Sequence, residues 1–144
     1  MAPQLYFEDV REGDPIPDLV KQPTTQQLVQ WAAGSGDFYQ IHYDKDFAVQ
    51  TGLDGVIVHG ALKHAFLGDL VHRWIAPGGR IVRLACSYRG MDRPGAPFTL
   101  KGRVRRKYQQ EGRNLVDVEV WGENPEGQST TPGAATVTLP SRAR

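Results

Sequence analysis

The segment from His59 to Trp74 carries Ala61, Leu62, Ala65, Phe66, Leu67, Leu70, Val71 and Trp74 at helical spacing, apolar around much of its circumference. A helix with so wide an apolar surface cannot lie on the outside of a domain, so other elements must enclose it. Pro77, Gly78 and Gly79 stop it. Beyond them the pattern changes to strict alternation. Val82, Leu84, Cys86 and Tyr88 alternate with Arg83, Ala85, Ser87 and Arg89, the mark of a half-buried strand. Pro94, Gly95 and Pro97 break the chain, after which Leu100, Gly102 and Val104 alternate with Lys101, Arg103 and Arg105. Val116, Val118 and Val120 then alternate with Asp117 and Glu119, and a hairpin through the Gln109 to Gly112 turn would set Arg103 and Arg105 across from those acids. A last strand, Ala134 to Leu139, follows the turn Asn124-Pro125-Glu126-Gly127. The expected fold class is α+β, an antiparallel meander around one long helix.

Two shorter helices precede the long one. Thr24 with Gln27 reads as a capping box, and Leu28, Trp31 and Ala32 recur at helical spacing as far as Gly34. Asp44 is a good N-cap for the second, with Phe47 and Ala48 facing inward and Gly52 ending it. The connection between them, Ser35-Gly36-Asp37-Phe38-Tyr39-Gln40-Ile41-His42-Tyr43, places a carboxylate and an imidazole five positions apart on a Gly-broken loop. Both can turn toward one point and share a proton or a water. The same residues also suit an aspartate capping a turn and a half-buried histidine satisfied by its neighbours. Val58-His59-Gly60 opens the long helix, whose first turn offers unpaired N–H groups and the positive end of the macrodipole. Gly60 lets a ligand approach that backbone closely, or serves a tight packing contact.

With 144 residues and no linker-like run, residues 1–144 read as one domain. The charge is balanced, 17 basic against 16 acidic residues, which disfavours a nucleic-acid or anionic-membrane partner. Glu8, Asp9, Arg11, Glu12 and Asp14 lie where a secretory signal would need an apolar run, and no apolar stretch of ~18 residues is available to span a bilayer. Cys86 is the only cysteine, so neither an intrachain disulfide nor a thiolate metal cluster is possible. The expected compartment is the cytoplasm. His64 and His72 with Asp69 do not share a helix face and have no further ligand spaced to join them, so no metal is expected. The basic run Arg103 to Lys107 reads as an exposed strand face, and Cys86 as a small core hydrophobe.

Gly36-Asp37 with His42, Asp44 and Ala48, followed by Val58-His59-Gly60, resembles the hydratase motif of the MaoC-like family of (R)-specific enoyl-thioester hydratases and dehydratases. The resemblance extends from Phe7-Glu8-Asp9-Val10 to Ala135-Thr136-Val137-Thr138-Leu139-Pro140. It implies a hot-dog fold and a reaction on enoyl or 3-hydroxyacyl thioesters, with coenzyme A or acyl carrier protein as part of the substrate and no separate cofactor. It further implies that Asp37 and His42 hold the water and that the Gly60 N–H receives the thioester oxygen. Tyr39, Gln40, His59, Gly68 and Arg89 are the expected substrate-binding residues, and one of Arg89, Arg93 or Arg106 is available to the phosphates of coenzyme A. Two departures stand out: Tyr39 and Gln40 replace the Asn-Pro of many members, and Gly68 stands where some carry a serine, widening the channel for a bulky or long acyl group. A lone hot-dog sheet leaves an edge open, so a homodimer, a higher oligomer or a heteromer with another hot-dog subunit is expected. The alternatives are a non-catalytic subunit that binds acyl-CoA or completes a heteromeric hydratase, and, less in keeping with the pattern, a thioesterase using Asp69.

Overall fold

The computed structural model describes residues 3–142. Five strands, β1 (Pro15–Lys21), β2 (Arg80–Cys86), β3 (Phe98–Gln110), β4 (Arg113–Glu123) and β5 (Ser129–Thr138), form one sheet in the order β1-β3-β4-β5-β2. Every neighbouring pair is antiparallel. The helices are α1 (Thr25–Ser35), α2 (Lys45–Gln50) and α3 (Gly60–Ile75), with short 3-10 turns at Phe7–Asp9 and Gln40–His42. Leu62, Phe66, Leu67, Leu70, Val71 and Ile75 of α3 share one core with Leu100, Val104, Val116, Val118, Val120, Ala135 and Val137 of the sheet. This is the hot-dog arrangement: the sheet covers the large apolar residues of α3, while Ala61 and Ala65, counted in the same apolar surface, stay exposed. No helix among the described residues is long and apolar enough to cross a membrane.

Several boundaries differ from the sequence reading, each for a local reason. β1 escapes pattern analysis because Pro15 and Pro17 interrupt it, and the sheet tolerates them because β1 is an edge strand. α1 runs past Gly34 to Ser35. Its left-handed C-cap is Gly36, at φ 79°, whose N–H donates to Ala32 O at 2.9 Å. Thr24 caps the other end through Gln27 N at 3.1 Å.

β3 is longer at both ends than the alternation of Leu100 to Arg105 suggests, and a bulge between Val104 and Arg106 shifts its register. Arg103 therefore faces Glu119, but Arg106, not Arg105, stands opposite Asp117. Arg105 is the extra residue, and its guanidinium reaches back to Glu119. Glu111 and Gly112, at φ 52° and 72°, form the tight turn to β4. β5 begins at Ser129, earlier than the alternation indicates, and Leu139 lies just beyond it as a buried residue. On β2, Leu84 and Cys86 pack against the core as expected, whereas Val82 is 49 % exposed and Tyr88 lies past the strand. β2 is the other edge, and no strand among the described residues pairs with its outer flank.

Candidate active site

The turn after α1 is built by short local bonds. Ser35 Oγ donates to Trp31 O at 2.6 Å and accepts the Asp37 N–H at 3.2 Å. Asp37 Oδ1 then accepts the Tyr39 N–H at 3.3 Å, an Asx turn that leaves Oδ2 to face His42 Nε2 at 3.9 Å. His42 is buried at the end of the 3-10 turn, with Nδ1 2.8 Å from the Ile57 carbonyl. A carbonyl only accepts, so Nδ1 carries the hydrogen in the neutral ring and Nε2 presents a lone pair toward Asp37. One oxygen of the carboxylate thus caps the turn while the other faces the imidazole.

His59, the residue before α3, is fully buried and stacks on His42 with ring centroids 3.8 Å apart. Its Nε2 donates to Asp37 O at 3.3 Å, and its Nδ1 has no hydrogen-bond partner among the described residues. Burial pushes its pKa down, and the neighbouring His42 adds to that; the bond to the Asp37 carbonyl and the Asp37 charge oppose it. His59 makes no side-chain cap on α3. The first N–H groups of the helix therefore have no intrahelical acceptor and no side-chain cap from His59.

Gly60 opens that helix and packs under the ring of Tyr88: a Cβ there would come within 2.9 Å of Tyr88 Cε2. An open cleft of about 370 Å³ runs past His42, Gly60, Lys63, Tyr88 and Arg89. The fold thus brings Asp37, His42, His59, Gly60 and Arg89 to one region. Tyr39 stands at its rim, more than half exposed and edge-on to His42 at 6.3 Å. Gln40 is exposed, and it is its backbone carbonyl that is engaged, accepting the Asp44 N–H at 2.8 Å. Gly68 lies two turns along α3 and does not line this cleft; a Cβ there would meet only Leu84 Cδ2, at 3.6 Å.

Asp69, the one candidate carboxylate for a thioesterase, is held by Lys21 at 2.6 Å and Arg73 at 2.9 Å. The Arg73 hydrogen bond, then Lys21, lowers its pKa. His64 Nε2 sits 3.4 Å from Leu84 O, so it does not converge with Asp69 on one point. Asp37, His42 and His59 do bring one possible ligand atom each within 4.8 Å of one another. The two rings, however, lie only 21° from parallel. Lone pairs in the planes of stacked rings run side by side and do not meet on one ion.

Sequence reasoning passed over Lys63 and Asp92 and read Tyr88 only as part of an alternating strand. Lys63 did carry a signal, as a cation between Leu62 and Phe66, both buried, in the first turns of α3; Asp92 and Tyr88 acquire their places only through the loop after β2.

A model of the MaoC like domain matches residues 11–125, and the chain belongs to that family of hydratases and dehydratases. The fatty acid synthase β subunit TOXC of Cochliobolus carbonum is 40 % identical over 73 residues, 49 % of this chain and 4 % of that protein. The chain thus spans a small fraction of this curated relative. Among solved structures, the (R)-hydratase from A. caviae involved in PHA biosynthesis aligns with TM-score 0.81 at 25 % identity, over 92 % of this chain and 99 % of that one. The ChsH1–ChsH2 complex from Mycobacterium tuberculosis shares the fold, with TM-score 0.78 at 22 % identity over 90 % of this chain and 98 % of the matched one.

Proposed function

We propose that this chain adds water to enoyl thioesters, or removes it from 3-hydroxyacyl thioesters, with Asp37 and His42 holding one water and Gly60 receiving the thioester oxygen. The observation that most supports this reading is the 3.9 Å approach of Asp37 Oδ2 to His42 Nε2, both of them acceptors. That gap is too long for a direct hydrogen bond, yet a water oxygen about 2.8 Å from each fits beside it and can donate to both. One of the pair takes a proton from this water as its oxygen bonds to C3. A proton passes from the dyad to C2, which balances the addition; dehydration is the reverse.

Attack at C3 moves negative charge onto the thioester oxygen. The N–H at Gly60, at the positive end of α3, is fixed before the reaction and is available to stabilise that charge. Tyr39 and Gln40 border the dyad, His59 seats both of its members, and Arg89, which lines the cleft, is the cation proposed to meet the carrier. Coenzyme A or acyl carrier protein enters as part of the substrate, and the reaction asks for no metal or redox group.

The proposal takes the chain as one domain working in the cytoplasm, with a second hot-dog subunit, identical or different, on the β2 edge. Ile81 and Val82 are exposed there, 37 % and 49 %, and an uncovered edge strand invites pairing. The ChsH1–ChsH2 complex is an instance of two different chains assembling. The direct test is to incubate the purified chain with short, long and ring-bearing enoyl-CoAs and follow the loss of the conjugated thioester absorbance. Turnover of at least one is expected. A folded chain that binds such thioesters and hydrates none would instead be a non-catalytic subunit.

A further inference from the structure

Lys63 is buried to 2 % exposure inside the wall of the cleft, one turn beyond Gly60. Its ammonium donates to Gly90 O and to Asp92 Oδ2, both at 2.9 Å. Thr130 Oγ1, on β5, donates to the same carboxylate oxygen at 2.7 Å. The backbone joins in: Val58 N–H donates to Asp92 O, and Arg89 N–H to Thr130 O, each at 2.8 Å. The segment from Tyr88 to Asp92 is therefore tied to β5 on one side. On the other it is tied to the chain on both flanks of Gly60, through Val58 before it and Lys63 after it. Tyr88, whose ring packs on Gly60, also lies under the Lys63 ammonium, 5.8 Å from nitrogen to ring centroid.

A buried ion pair is a weak source of stability, since the desolvation of both charges largely cancels their attraction and a well-packed apolar pair holds a fold as well or better. What this pair does supply is direction. We infer that Lys63 and Asp92 are positioning residues for the thioester-oxygen site: they set the path of the backbone from Val58 to Gly60 and hold the Tyr88 to Asp92 segment as the facing wall. The inference rests on the hydratase reading above and adds two residues to it that touch neither the water nor the reacting carbons.

The test is the double variant Lys63→Met/Asp92→Leu in the full chain, which replaces the charges with apolar groups and leaves Thr130 Oγ1 its contact with Thr131 Oγ1 at 3.3 Å. Its thermal midpoint should stay within a few degrees of the parent. Its kcat on a turned-over enoyl-CoA should fall about 10- to 100-fold with KM changed much less, and the Val58 and Arg89 amides should exchange deuterium faster. Parental kcat and parental exchange in the folded variant would overturn the inference. If the double variant does not fold, Asp92→Asn carries the same two readouts with the same expected directions, and parental values for both would again overturn it. Failure of the parent to turn over any enoyl thioester sinks the hydratase reading instead, and the exchange at Val58 still decides whether Lys63 and Asp92 set this backbone.

Discussion

His59 lies flat against His42, ring centroids 3.8 Å apart, while its Nε2 holds the backbone carbonyl of Asp37 at 3.3 Å. One buried ring thus seats both members of the dyad. A proton on His59 would place a charge in a buried site against a second imidazole, and burial is the first reason its pKa is lowered.

Stability should follow that titration. Unfolded, His59 takes a proton near pH ~6.5; folded, it resists until a lower pH. Its contribution is therefore complete above about pH 6.5 and is lost as pH falls from there through the depressed folded value. Urea midpoints measured from pH 8 down to 5 should decline for the parent, and less steeply for His59→Gln. Parallel declines would assign the acid sensitivity to other groups.

The dyad prediction concerns rates. Asp37→Asn and His42→Ala should each lower turnover about 10²- to 10⁴-fold with the fold retained, as judged by circular dichroism. Because both groups act on one water, the double variant should be little slower than the slower single variant. Near-parental rates for both single variants would refute the assignment, and multiplicative losses would mean separate roles.

A third expectation concerns metals. His59 Nε2 is engaged with a carbonyl and His42 Nδ1 with another, so the atoms left facing each other are His42 Nε2 and Asp37 Oδ2. His59 Nδ1 is also without a partner among the described residues, but it sits on a ring stacked against His42, whose lone pair runs beside its own, so the three make a poor zinc site. Activity should survive exhaustive EDTA treatment, and elemental analysis should find no stoichiometric metal. Loss of activity that one added metal restores would redirect the mechanism.

What the sequence made legible is what repeats. The apolar breadth of α3 and the alternation in β3 and β4 report burial directly, so the helix-in-sheet architecture follows from them. β1 was silent because two prolines hide a strand that only an edge position permits. The bulge before Arg106 was silent because one added residue leaves the composition of β3 unchanged while moving its register. The Asp37 to His42 spacing was visible as local chemistry on one loop. The Lys63–Asp92 bond joins residues 29 apart, and no local pattern encodes such a pairing.

Gly60→Ala tests the helix start. The φ at Gly60 is not positive, so alanine fits the backbone, but its Cβ would sit 2.9 Å from Tyr88 Cε2. Tyr88 is 54 % exposed and can swing aside, so stability should change little. The displaced ring and the added methyl should restrict approach to the N–H, lowering kcat/KM about tenfold or more, ~1.4 kcal/mol. An unchanged kcat/KM would move the oxygen site elsewhere.

Gly68 tests the length of the acyl channel. It faces Leu84 as Gly60 faces Tyr88, and Leu84 and Tyr88 are four residues apart on one run of chain, so both glycines lie along the boundary between α3 and the β2 segment. A Cβ at Gly68 meets only an ordinary contact, 3.6 Å to Leu84 Cδ2, and replacing a helical glycine favours the helix by up to ~1 kcal/mol. Gly68→Ala should therefore keep an undiminished thermal midpoint, and Gly68→Leu, whose longer side chain reaches toward Leu84, should fold at an overpacking cost of up to ~1 to 3 kcal/mol. If the acyl chain runs along this boundary from Gly60, the leucine should cut kcat/KM for long or ring-bearing enoyl thioesters at least about tenfold while short crotonyl-type substrates lose much less. The comparison is to be made at unchanged oligomeric state, because the β2 edge lies beside this face. Equal losses on short and long substrates would show that Gly68 serves helix packing and leaves the acyl site to other walls.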